Sequence, residues 1–76
     1  MFKKQKLKRE IKKCIKEIDM LEQKRTRSQA ALVTAILQHT TPDDADVDYF
    51  NTYTAKIDDV RARMSELKAQ LAALEK

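Results

Sequence analysis

Cys14 and His39 are the only cysteine and the only histidine in this 76-residue chain, so thiolate or imidazole chemistry would have to start from them. A cysteine acts as a nucleophile when a base or a positive field lowers its pKa, and Lys12, Lys13 and Lys16 surround Cys14 with such a field. Cys14 also shares a helical spacing with Leu7, Ile11, Ile18 and Leu21, the position of a small hydrophobe in a core. His39 lies near Asp43 and Asp46, donor types that suit a divalent metal, but one imidazole with flexible carboxylates is too few ligands. Acids and bases are abundant elsewhere, and none forms a pair distinct from a solvated face. The expectation is a protein without catalytic residues, cofactor or metal.

A second kind of chemistry is electrostatic. Residues 1–40 carry eleven basic and four acidic side chains, a net of +7, whereas residues 41–76 carry five and eight, a net of −3. Residues 1–16 alone hold eight lysines and arginines against Glu10. Wound as a helix, Lys6, Arg9, Lys13 and Lys16 make one exposed row, with Lys3 and Lys4 ahead of it. Such a row suits a phosphate backbone or an acidic partner without reading bases. Only Phe2 accompanies it as an aromatic, too little for a stacking platform, and lysine outnumbers arginine, which favours loose electrostatics over bidentate recognition. The opposing reading is a solvated basic face that aids solubility. The acidic counterpart is Asp43, Asp44, Asp46 and Asp48.

The elements that carry these groups are helical. No glycine, one proline and 37% charged residues exclude phosphate cradles, barrels and doubly wound sheets. No apolar run is longer than the four residues of Ala30–Val33, so no segment is expected to span a bilayer, and no secretory core is expected after Met1. A lone cysteine makes no internal disulfide, which predicts a cytoplasmic protein.

Thr40-Thr41-Pro42-Asp43-Asp44 is the single break. Thr41 is expected to cap the second helix, with Pro42 at its first position and Asp44 completing a capping box. One helix is therefore expected over about residues 3–39, a turn at 40–42, and a second helix over 42–75. The second carries a strict 3-4 repeat, Phe50, Tyr53, Ile57, Val60, Met64, Leu67, Leu71 and Leu74. The first continues it through Leu7, Ile11, Cys14, Ile18, Leu21, Arg25, Ser28, Leu32 and Ala35, with Ile15 and Ile36 widening the stripe. So short a connection predicts an all-α, antiparallel coiled-coil hairpin. Charge counting favours the register that sets Ile36 beside Val47, Glu22 beside Arg61 and Lys8 beside Glu75. A slide of one heptad would oppose Lys8 to Lys68 and Lys24 to Lys56.

Arg25 and Ser28 interrupt the core line, and are expected to face Val60 and Ile57 as a polar layer that fixes register. A kink at residues 23–29 is the alternative. Near the turn the chain is apolar nearly all round, and Val33, Leu37, Val47 and Tyr49 form a collar that one partner helix cannot cover. Two hairpins meeting there would make a four-helix bundle with their basic ends projecting outward.

Leu7–Leu32 resembles the first helix of the all-helical chorismate mutases over a third of the chain, without their second active-site pattern, so no site follows. The bend, Thr-Thr-Pro-Asp, differs from the Trp-x-Gly of small secreted hairpins. In architecture the hairpin and its expected dimer resemble the RNA-binding four-helix bundles that control plasmid copy number; no motif is shared, and fold likeness carries no function. The expected role is a protein-interaction or assembly hairpin, a homodimer or a partner's adaptor or inhibitor. Nucleic-acid binding through residues 3–16 is the alternative, and peripheral membrane binding ranks below both, because detaching the first helix would expose the seam.

Overall fold

The computed structural model describes residues 2–75 and consists of two α-helices, α1 (Phe2–Leu37) and α2 (Asp44–Glu75), packed antiparallel along their length. The hairpin measures 55 × 17 × 16 Å. No strand occurs among the described residues. α1 is rich in Lys, Leu, Glu and Gln, and α2 in Ala, with Leu along its C-terminal half, types that lose little side-chain freedom in a helix. No helix of the described residues is long and apolar enough to cross a membrane.

The 3-4 line is the seam. Every member from Leu7 to Ala35 on α1, and from Phe50 to Leu71 on α2, is buried or half-buried; only Leu74 at the open end is exposed. Leu7, Cys14 and Leu67 form one core cluster, and Ile18, Leu21 and Ile57 another, with Val60 and Met64 touching both. In heptad letters, α1 places Leu7, Cys14, Leu21, Ser28 and Ala35 at d and the intervening residues at a, while α2 begins with Phe50 at a. The two edges of the hairpin are then its e and g positions.

The connection departs from expectation at both sides. α1 ends at Leu37, not near 39, through a Schellman motif: the Thr40 amide donates to the Ala35 carbonyl (2.9 Å) and the His39 amide to the Ile36 carbonyl (3.2 Å). His39 holds the left-handed position, φ 56°, where glycine is usual. α2 begins at Asp44 and its N-cap is Asp43, not Thr41: the Asp43 carboxylate accepts from the Ala45 amide at 3.4 Å, and its carbonyl accepts from the Asp46 and Val47 amides. A carboxylate serves the positive end of the helix dipole better than a hydroxyl does. Pro42 stays outside the helix as a consequence.

The register matches expectation only in part. Arg61 Nη2 meets Glu22 Oε1 at 3.0 Å, but Glu75 takes Lys4 (3.4 Å), one turn before Lys8. Arg25 meets Thr54 and Phe50 instead of Val60. Helical side chains lean toward their own N-terminus, so long partners on antiparallel helices meet diagonally and a count of facing charges misplaces the layers by about a turn. α1 passes through residues 23–29 without a break in its helix.

Candidate interaction surface

The basic end is built by the N-terminal half of α1. Lys6, Arg9, Lys13 and Lys16 fall at c and f positions, the back of the helix, and all four are exposed, as is Lys3. Lys4 is half-buried against α2, where Glu75 engages it. The first turn of α1 contains no acidic residue, and α2 answers the lysines with few carboxylates at this end. Gln5, Lys8, Arg9 and Lys12 line an open depression on this surface. A linear array of ammonium groups on a rigid rod can follow a phosphate chain or an acidic helix by charge alone.

The opposite end is apolar outside and acidic at its tip. Val33 is 48% exposed, Ile36 68% and Leu37 74%, on a stretch whose seam residues Leu32 and Ala35 are already used against α2. Ile15, read from sequence as part of the seam, is 52% exposed. Ile15 and Ile36 both occupy e positions, and a single narrow partner helix covers a and d first. Val47, half-buried, is also at e. Tyr49 falls at g, on the other edge, in a shallow depression with Arg27, Ser28, Ala31 and Asp46. The collar is thus divided between two edges, with its aliphatic part on one.

Between the ends lies the polar layer. Ser28 is buried and its hydroxyl donates to the Arg25 carbonyl at 2.9 Å. Arg25 Nη1 donates to Thr54 Oγ1 at 3.0 Å, and the guanidinium carbon stands 5.2 Å from the centre of the Phe50 ring. Arg25 Nε is buried without a hydrogen-bond partner. The layer is therefore only partly satisfied, a cost that an aliphatic residue would avoid. Alongside it Tyr49 packs on Tyr53 with centroids 4.5 Å apart and the rings tilted by 43°, and Lys56 sits 5.1 Å over the Tyr53 ring. The Tyr53 hydroxyl raises the Tyr49 phenol above its ordinary 10.0, a shift that Arg27 opposes. None of these aromatic contacts was visible in the sequence, although the g positions of Tyr49 and Lys56 placed them on one edge.

Cys14 is buried in the core as a free thiol. Among the described residues no group of three or more His, Cys, Asp or Glu side chains converges as a metal site. The His39 backbone forms the turn, and the residue is exposed. No protein family matches the chain, and neither curated proteins nor solved structures match it.

Proposed function

We propose that this hairpin is a non-enzymatic interaction and assembly module whose first partner is a second copy of itself, the two forming a four-helix bundle. The observation that carries the reading is the exposed aliphatic surface of Val33, Ile36 and Leu37 beside a seam that is already complete. Exposed apolar groups of this size, clustered at one end of a highly charged rod, mark an interface. Two helices with one narrow seam also bury little against the ordering of some seventy residues, and a second hairpin supplies the missing burial. A reducing, cytoplasmic setting suits the unpaired Cys14 and belongs to the same reading.

The test is a Leu37→Lys substitution followed by sedimentation and circular dichroism. It should split the dimer and make helicity fall on dilution, because folding and assembly are linked. Unchanged sedimentation would remove this surface from the interface.

A second reading, nucleic-acid binding by residues 3–16, is favoured by the exposure of Lys3, Lys6, Arg9, Lys13 and Lys16 on one rigid helix. It predicts a mobility shift of random duplex and of RNA that weakens steeply with salt. An assembly hairpin alone would shift neither.

A further inference from the structure

The e positions of α1 read Lys8, Ile15, Glu22, Gln29, Ile36. The four from Ile15 to Ile36, read backwards, are Ile, Gln, Glu, Ile. Laid antiparallel on itself, isoleucine meets isoleucine and the glutamate meets the glutamine amide, while Lys8 comes to lie at the acidic turn end of the other copy. Both isoleucines are more than half exposed in the single hairpin, so each is left with an open side. They lie three heptads apart, about 31 Å at 1.5 Å per residue, and both stay on one edge of the rod because seven residues nearly complete two turns.

We infer that a second copy of this chain covers the e edge of α1 head-to-tail, each Ile15 packing on the other copy's Ile36 and each basic open end lying along the other's acidic turn. This rests on the self-association proposed above and specifies its geometry.

The charge distribution selects this arrangement over its competitors. A turn-to-turn contact would bring two sets of Asp43, Asp44, Asp46 and Asp48 together, and a parallel stack would bring two basic ends together. The head-to-tail arrangement places Lys8, Lys12 and Lys16 beside the aspartates instead. The opposite edge is a poorer candidate, because the g positions of α1, Lys3, Glu10, Glu17, Lys24 and Ala31, offer no exposed isoleucine to pack on a second copy. At the middle of the e edge, Glu22 already gives one carboxylate oxygen to Arg61, and its remaining acceptor capacity faces the other copy's Gln29 amide. Neighbouring helices run antiparallel throughout the resulting four-helix bundle, so their dipoles oppose. Residues 2–7 of each copy project beyond the partner's turn, which keeps Lys3 and Lys6 available.

The experiment is disulfide trapping between two variants, Ile15→Cys and Ile36→Cys, each in a Cys14→Ala background. Both substitutions replace exposed side chains, so the hairpin tolerates them. Mixed in equal amounts under a glutathione redox buffer, the two variants should form the mixed disulfide as the main product, and each alone should couple no more than in denaturant. Raising the salt should lower the yield of the mixed product. Self-coupling of Ile36→Cys would overturn the inference in favour of a turn-to-turn contact, and self-coupling of both variants would overturn it in favour of a parallel stack. Dimeric sedimentation with no coupling above the denaturant control would also overturn it while leaving self-association standing. Monomeric sedimentation would remove both.

Discussion

Arg25 offers the sharpest test of how the seam is stabilised. Replacing it by leucine, together with Ser28→Ala, removes the buried Nε that lacks a partner, a defect of about 1–3 kcal/mol. The change forfeits the 3.0 Å bond to Thr54, about 1 kcal/mol, the contact with Phe50, about 0.5–1 kcal/mol, and the 2.9 Å bond from the Ser28 hydroxyl to the Arg25 carbonyl, about 1 kcal/mol. Leucine at a half-buried core position adds about 1–2 kcal/mol of apolar burial. The balance is a gain of about 1 kcal/mol, or roughly 5 °C in a chain of this size. Alanine, not leucine, is chosen at position 28 because Ser28 is already fully packed and a larger side chain would strain the layer. Melting followed by circular dichroism at fixed protein concentration measures the gain, and sedimentation asks whether other oligomers appear once the polar layer is gone. A lower melting temperature with unchanged oligomeric state would refute the reasoning and show that the guanidinium does more for the hairpin than its contacts suggest.

Three further outcomes are expected. His39→Gly should stabilise the hairpin by about 0.5–1 kcal/mol in a denaturant titration, since a left-handed residue with a Cβ costs about 1–2 kcal/mol and glycine returns part of that as unfolded-state entropy. Asp43→Ala should cost about 1 kcal/mol through loss of the N-cap, while Thr41→Ala should cost almost nothing in the same assay. In an absorbance titration Tyr49 should ionise above 10.0, and Tyr53→Phe should bring it back; the protonated phenol is the form the fold favours, so any stability it carries is present below pH 10 and lost as pH rises through the shifted value.

Much of the hairpin could be read from phase alone. The 3-4 line from Leu7 to Ala35 and from Phe50 to Leu71 is the seam, because an antiparallel pair of helices buries a and d before anything else. Pro42 and the aspartates located the break, but not its cap: Thr41 and Asp43 are both competent caps, and the choice depends on where the left-handed His39 points the chain. Nothing in the sequence marks His39 for that conformation, since the usual sign is a glycine. Ile15 and Ile36 looked like a broader seam because periodicity reports which faces are apolar and not how wide the partner is. Arg25 was legible as a polar interruption, while its partners were not, since they depend on the lean of side chains along the axis. Of the four collar residues read from sequence, Val33, Leu37 and Tyr49 are exposed and Val47 is half-buried, and heptad phase puts Tyr49 on the other edge.

Sedimentation equilibrium of the unmodified protein at tens of micromolar, with helicity recorded on the same samples, tests the central claim that the aliphatic end of the rod is an interface between copies. The account predicts a species of twice the 8.8 kDa chain mass, which dissociates on dilution with loss of helix and is abolished by Leu37→Lys. A fully helical monomer over the whole concentration range would contradict it.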